Sequence, residues 1–435
     1  PAYKNGVCSR ILVHKFDSAW GFGSEFSIFL RAAALQDAIG HAVVPDTREW
    51  IYGDLANFWV PMNYSCTLPP DALDTSRATT FGSPGWQRRR RVVLSRSAAQ
   101  LSQLDNLVRE KSIDTKRTRV VAQREKMYQL TPERVTLPYG ETVPDGVETA
   151  FLQQAKAMER IARPTPEMKA QMDRLGATLG LDELDTTKRA PVVVVQIRLG
   201  DKWMEQYDIK QAGSHIEFGD IAPYFDAARL ALRRLYDAEI TPAPRTFTHD
   251  NHKKPILVVM TAETGVVERL QELDTERQFE IILSPSMEFT AEEAEEYTRV
   301  FEPPPATTST AATTTDASDS TTVIETGSEP TATGTATATA PHLLAERWSQ
   351  GMLYSASLGL RLALTRQLIS ELTVYATRAD AFVVSGNSNL GRLALALGGE
   401  EGTLGLGPLR AVGARVRSID VPFYPTAYRS AIFPP

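Results

Sequence analysis

Three short stretches carry residue types that can hold or act on an anionic ligand. In Gln196-Ile197-Arg198-Leu199-Gly200-Asp201-Lys202, an apolar run ends in a guanidinium, a carboxylate and an ammonium. A guanidinium there can clamp a diphosphate through paired hydrogen bonds and a permanent charge; Asp201 can fix its orientation, and Lys202 adds a second cation. Glu205, one helical turn beyond Asp201, is a carboxylate able to accept a proton. In Ser385-Gly386-Asn387-Ser388-Asn389-Leu390-Gly391-Arg392, small hydroxyl and amide residues open a helix after a strand. That arrangement offers backbone and side-chain donors to a phosphate or ribose. Gly21-Phe22-Gly23-Ser24-Glu25-Phe26 begins like a dinucleotide fingerprint but has Phe26 at the third glycine, which counts against a nicotinamide enzyme. Plainer readings exist for all three: a surface salt-bridge cluster, an ordinary N-cap at Asn387 or Ser388, and a structural turn.

These stretches need elements to position them, and the pattern supplies an alternation of strands and helices. Strands are expected at 11–16, 42–45, 192–197, 256–260, 279–283 and 381–384. Helices are expected at 24–39, 223–239, from 264, after the Thr290/Glu293 capping box, up to about 376, and beyond Asn389. The continuous run Val192 to Ile197 suits a strand buried on both faces of a parallel sheet. The expected fold class is therefore α/β, with a Rossmann-like doubly wound C-terminal half whose ligands lie outside the carboxyl ends of its strands. We expect an N-terminal α/β lobe over 1–190 and a second lobe over 191–435. The first contains a less regular basic stretch at about 81–145 that includes Arg88-Arg89-Arg90-Arg91, read as a solvated loop. Within the second lobe, 14 of the 40 residues from 302 to 341 are Thr and only Val323 and Ile324 are sizeable aliphatics, so this segment reads as a disordered surface insertion. Its Thr, Ser, Pro and Ala content resembles O-glycosylated linkers.

Composition narrows the classes. With 435 residues, 47 Lys+Arg against 53 Asp+Glu and a net charge of −6, the chain lacks the basic excess of a nucleic-acid binder. No uncharged apolar run approaches the ~20 residues of a bilayer span, so no membrane contact is expected of this sequence. The chain opens PAYKNG and is taken as a fragment or processed form. The six histidines are scattered, and His249-Asp250-Asn251-His252 lacks further nearby ligands, so no metal is expected. No G-x-S-x-G elbow marks a serine hydrolase. The two cysteines, Cys8 and Cys66, accompany a sequon at Asn63-Tyr64-Ser65. A disulfide between them would constrain the unfolded chain by about 4 kcal/mol, while two buried thiols beside a chance sequon fit equally well.

Taken together in this order, the three stretches resemble the α-1,6-fucosyltransferases of core fucosylation and nodulation, within the GDP-fucose O-fucosyltransferase superfamily. Gly21-Phe22-Gly23 followed by Trp50-Ile51-Tyr52 is similar to the family's glycine turn and its N-W-R-Y stretch. Ile161-Ala162-Arg163-Pro164-Thr165-Pro166 is similar to its I-R-P-x-P helix start. Arg198, Asp201 and Lys202 match H-V-R-R-T-D-K, and Ala379-Asp380 with Ser388-Asn389 fits A-D-F-L-V-C-T-F-S-S-Q. The resemblance implies a two-lobed GT-B fold, GDP-fucose as donor, a glycan or glycoprotein acceptor, inversion at the anomeric carbon and no obligatory metal or cofactor. It implies catalytic roles for Arg198, Asp201, Lys202 and Glu205. Donor contacts would come from Gly21, Gly23, Tyr52, Arg198, Glu371, Ser385, Gly386, Asn387, Ser388 and Asn389. It also implies a Cys8–Cys66 bridge and a place in the secretory pathway, in the Golgi lumen, and the sequon then reads as a glycan at Asn63. Departures are plain as well. Gln196 replaces the motif's histidine, Leu199 its second arginine, and Ala262 an aspartate of T-D-D. The family's catalytic and guanine-reading carboxylates fall one position from Glu205 and Glu371. Gly200-Asp201 leans toward the protein O-fucosyltransferases, and the replaced residues leave room for a non-catalytic nucleotide-sugar or glycan binder of the same fold.

Overall fold

The computed structural model describes residues 3–4, 6–17, 21–95, 97–113, 147–183, 188–197, 220–236, 253–261, 263, 265–285, 290–301, 350–386, 388–404 and 415–419. Arg198, Asp201, Lys202, Glu205, Asn387, Ala262, the loop at 249–252 and the segment at 302–341 lie outside the described residues.

A short antiparallel pair, β1 (Tyr3–Lys4) and β2 (Val7–Cys8), precedes the first parallel sheet. The chain then runs through β3 (Ile11–Lys15), α1 (Phe22–Ala34), α2 (Gln36–Ile39), β4 (Ala42–Asp46), β5 (Thr79–Thr80) and β6 (Arg91–Leu94). Helices α3 (Ala98–Ile113), α4 (Val147–Ile161) and α5 (Pro166–Thr178) follow. The four strands β3 to β6 pair in the order β4-β3-β6-β5, all parallel. Alternation along each strand sends Leu12, Val43 and Val92 to one face. Ile11, Val13, Ala42 and Val44 go to the other, where they meet Cys8, Cys66 and Ala72.

The second sheet is built from β7 (Val192–Gln196), α6 (Ala222–Tyr236), β8 (Ile256–Met260), α7 (Val266–Leu273), β9 (Glu280–Leu283), α8 (Ala291–Phe301), α9 (Gln350–Ser355), α10 (Leu358–Arg378), β10 (Ala381–Val384), α11 (Asn389–Leu404) and β11 (Val416–Ser418). Its order is β11-β10-β7-β8-β9, again all parallel. The chain starts at the centre on β7, winds out to β9, and returns to the other side of β7 as β10. Helix α6 covers the face bearing Val193, Val195, Leu257 and Val259. Helices α10 and α11 belong to the opposite face, with Val192, Val194, Phe382 and Val384. The fold is α/β with a doubly wound second sheet, as the sequence pattern anticipates.

Local signals explain the boundaries. Thr290 and Glu293 cap α8 reciprocally, the Thr290 N–H donating to Glu293 (2.9 Å) and the Glu293 N–H to the Thr290 hydroxyl (3.2 Å). Thr165 accepts from the Met168 N–H and Pro166 takes the first position of α5, where its missing N–H costs nothing. At the amino ends of β7 and β10, Asp380 accepts two hydrogen bonds of 2.5 Å from the Arg189 guanidinium and one of 2.9 Å from the Val192 N–H. Both side chains are buried, so the Ala379-Asp380 signal in the sequence marks a pin that fixes where two central strands begin.

Cys8 and Cys66 form a disulfide, with Cα atoms 5.1 Å apart. The basic stretch differs from expectation over 81–113, which holds β6 and α3 instead of an irregular loop. Only Val92 and Leu94 of β6 face fully buried surroundings, and the arginine run leading into it hides so short a signal. One apolar cluster runs from the first sheet through α1, α4, α5, α10 and α11 to the second sheet.

Candidate functional site

In a doubly wound sheet the crevice opens where successive connections leave for opposite sides, beyond the carboxyl ends of the two strands concerned. Here those strands are β7 and β10. Strand β10 runs into the turn at Ser385 and then into α11. Strand β7 ends at Gln196, after which the Ile197 N–H still donates to the Met260 carbonyl (3.0 Å). Arg198 is the next residue in the chain, so the candidate cation segment leaves from the switch point although it lies outside the described residues.

The Ser385 turn is tightly folded. The Ser388 N–H donates to the Ser385 carbonyl (3.0 Å), the Arg392 N–H to the Ser388 carbonyl (2.9 Å), and the Gly386 N–H to the Ser418 hydroxyl on β11 (2.9 Å). A Cβ at Gly391 would stand 1.9 Å from the Ser385 carbonyl oxygen, so only glycine permits this approach. Ser388 occupies the N-cap position of α11, yet its hydroxyl, on a residue only 4% exposed, has no hydrogen-bond partner among the described residues. Asn389 is already engaged, its side-chain oxygen accepting from Arg392 on the same helix.

The glycine turn of the first sheet comes to the same place. Gly21 caps α1 without a side-chain hydrogen bond, and its carbonyl accepts from the N–H groups of Ser24 (2.9 Å) and Glu25 (3.3 Å). A Cβ at Gly23 would lie 3.0 Å from the Leu390 nitrogen and 3.1 Å from the Asn389 carbonyl carbon. The first turn of α1 therefore abuts the first turn of α11. Each helix start carries partial positive charge and unpaired N–H groups. Bringing two together is unfavourable in itself and creates a setting that an anion would relieve.

The surrounding side chains divide into packing and polar groups. Tyr52 is buried in an aromatic cluster, 5.2 Å from Trp50 and 5.7 Å from Phe22 between ring centres. Neighbouring Gly53, at φ +82°, receives Leu362 of α10 so closely that a Cβ would fall 2.5 Å from its methyl carbon. Glu25 is fully buried; its carboxylate accepts from the Asp17 N–H (3.2 Å) and lies 3.9 Å from His14 Nε2, bracing the segment that leads to the glycine turn. Gln196 shares the face of Val194, and its side-chain oxygen, buried, has no partner among the described residues. Trp50 Nε1 is likewise buried and unpartnered there.

Glu371 sits elsewhere on the same rim. Its Oε1 accepts from the Ser284 hydroxyl (2.7 Å), just past β9, and from Gln367 Nε2 (3.0 Å). The Ser284 hydroxyl also lies 2.5 Å from the Tyr375 hydroxyl. Burial pushes the Glu371 carboxyl up to about 7, against the smaller opposing effect of its two hydrogen-bond donors. Burial and the nearby Glu371 push the Tyr375 phenol up as well. Three strand spacings, roughly 14 Å, separate β9 from β10. The structure thus joins Gly21 and Gly23 to Ser385, Gly386, Ser388 and Asn389, places Tyr52 behind them, and sets Glu371 at the far edge. Glu25 and His14 are additions that the sequence did not single out; the only signal was an acidic residue in the first turn after the glycines. Among the described residues no group of three or more His, Cys, Asp or Glu could hold a metal ion, and no helix is long and apolar enough to cross a membrane.

No protein-family model matches the chain, and no curated protein is similar to it. Among solved structures it is similar to NodZ α-1,6-fucosyltransferase soaked with GDP-fucose, with 11% identity over 89% of this chain and 92% of that one and a TM-score of 0.41. The same enzyme co-crystallised with GDP gives 11% identity, 89% and 91% coverage and a TM-score of 0.39. An arginine-to-lysine mutant of Arabidopsis thaliana FUT1 in complex with GDP gives 9% identity, 91% and 70% coverage and a TM-score of 0.40. The likeness concerns architecture alone. Such overlaps are too loose to transfer a residue or an activity.

Proposed function

We propose that the protein is an inverting glycosyltransferase that moves fucose from GDP-fucose to a hydroxyl of a glycan acceptor. The observation that carries this reading is the abutment of two helix starts at the switch point, with the buried Ser388 hydroxyl unpartnered beside them. A diphosphate supplies the negative charge and acceptor oxygens that this arrangement lacks. The motif resemblance supplies the sugar and the base.

In this reading Arg198 neutralises charge growing on the departing GDP, with Lys202 as a second cation and Asp201 holding the guanidinium. Ser388 and the backbone at 385–389 donate to the same phosphates. As the acceptor oxygen forms its bond to the anomeric carbon and the bond to the β-phosphate breaks, Glu205 takes the acceptor proton. Glu371, bonded to Ser284 past β9, is assigned to the base, and Tyr52 backs the glycine turn. The reading assigns no metal. The disulfide suits an oxidising compartment, and we place the protein in the secretory pathway, in the Golgi lumen, with a glycan on the exposed Asn63. Arg198→Ala should abolish transfer from GDP-fucose and leave the melting temperature unchanged; retention of most activity in that variant rejects the assignment.

A second reading, a non-catalytic nucleotide-sugar or glycan binder, is favoured by Gln196, a buried amide where the resembled motif has histidine. GDP would then raise the melting temperature while GDP-fucose stayed unconsumed. Gly200-Asp201 keeps protein O-fucosylation in view, and product analysis on a free glycan against a folded peptide acceptor separates the two transferases.

A further inference from the structure

The run Arg88-Arg89-Arg90-Arg91 takes no part in the site above, and the structure shows where it goes. Arg91 opens β6 and is absorbed: its guanidinium pairs with Asp71 and donates to the carbonyls of Asp71 (2.5 Å) and Asp74 (2.8 Å). Arg88, Arg89 and Arg90 are exposed, and Arg10, just before β3, is half-buried. None of these four has an acidic partner among the described residues. Backbone contacts bring them together. The Ile11 N–H donates to the Arg90 carbonyl (2.8 Å), the Ala42 N–H to the Arg10 carbonyl (3.0 Å), and His41 Nε2 lies 3.1 Å from the Arg89 carbonyl. The arginines therefore gather at the amino ends of the adjacent strands β3 and β6, the pole of the first sheet opposite the glycine turn. Adjacent strands lie ~4.8 Å apart, so the Arg10 and Arg90 backbones run side by side. His41 is buried, and desolvation lowers its pKa, so it adds no charge.

Four guanidinium groups without an acidic partner among the described residues, on a chain of net charge −6, form a local exception that an anionic partner would satisfy. We propose that this arginine cluster is a docking site for a linear anionic polysaccharide carrying sulfate or carboxylate groups. Arginine forks match both groups through paired hydrogen bonds, and all four cations are arginines. A nucleic acid fits less well, because the aromatic rings beside the cluster, Trp86 and Phe81, are buried and offer no stacking surface. An anionic leaflet fits less well too: the Cys8–Cys66 disulfide points to an oxidising compartment, whereas the negative leaflet faces the cytoplasm.

Heparin is the probe, with binding measured across a salt series. Arg88→Ser/Arg89→Ser/Arg90→Ser should bind at least tenfold more weakly at fixed salt, with the slope of log affinity against log salt flattened by about 2. Arg10→Ser alone should lose about threefold, a second variant that stands if the triple one fails to fold. A charge-matched triple of exposed residues elsewhere, Arg174→Ser/Arg269→Ser/Arg299→Ser, should stay within twofold of the parent. Equal losses in the two triples would reduce the effect to bulk charge and overturn the proposal. Tighter binding to phosphatidylserine vesicles or single-stranded RNA than to heparin at the same salt would overturn it as well.

Discussion

Glu371→Gln is the most informative single change, because it isolates a buried carboxyl without altering its shape. The carboxyl is pushed up to about 7 from an ordinary 4.5 chiefly by burial. A group whose folded pKa is raised contributes its stability in full below the unfolded value and loses it as pH climbs through the folded one. The window therefore runs from about pH 4.5 to just above 7. At 1.36 kcal/mol per unit, the difference 7 − 4.5 corresponds to about 3 kcal/mol of stability lost by neutral to mildly alkaline pH. Glutamine keeps an oxygen to accept from the Ser284 hydroxyl but never ionises. Urea unfolding of parent and variant should therefore agree near pH 4.5 and diverge steadily, the variant ahead by about 3 kcal/mol at pH 8. Depressed carboxylates such as Asp173, held down by its bonds to Lys169 and Arg378, and Glu296, held down by Ser357, are common to both proteins and cancel in the difference. Parallel curves from pH 4.5 to 8 would refute the reasoning, and would mean that Glu371 is solvated or ionised in the folded protein.

Ser388→Ala should leave the denaturation midpoint unchanged or slightly raised, since the hydroxyl it removes is buried without a partner among the described residues. It should weaken GDP about tenfold, the worth of one hydrogen bond to a charged phosphate, as read by calorimetry. Gly391→Ala requires the Ser385 carbonyl to retreat by about 1.1 Å to reach even a tight 3.0 Å contact (3.0 − 1.9). Overpacking of that kind costs about 1–3 kcal/mol, and GDP should no longer raise the melting temperature. Cys8→Ser/Cys66→Ser should lower stability by about 4 kcal/mol in urea unfolding, from the restored freedom of the 58-residue span between them. Deletion of residues 306–340 should leave the melting transition in place, because Glu296 of α8 grips Ser357 at the start of α10 through two hydrogen bonds of 2.6 Å and holds the flanking helices together.

The sheet at the C-terminal end was legible because its strands are unbroken apolar runs, and a strand buried on both faces needs no partner pattern to be recognised. Val192 to Gln196, Ile256 to Met260 and Ala381 to Val384 were each found within a residue. Strand β6 was not, because two buried side chains at the end of an arginine run make no periodic signal. Break points were harder still: the helix expected up to 376 stops at Ser355 and restarts at Leu358, with Ser357 acting as a cap. At the site, the sequence could name Gly23 and Ser388 separately. It could not show that the two helix starts meet, since the contact of Gly23 with Asn389 joins residues 366 positions apart (389 − 23) and depends on how two sheets share one layer of helices. The orphaned oxygen of Gln196 and the burial of Glu371 are likewise properties of the assembled fold, invisible to spacing.

The uninterrupted apolar layer between the sheets limits how the molecule can move. Two halves joined by a narrow neck can swing apart about a hinge, whereas here any such swing would tear Leu362 from its seat on Gly53 and expose helices α1, α4 and α11 to water. The whole body should therefore melt in a single cooperative step.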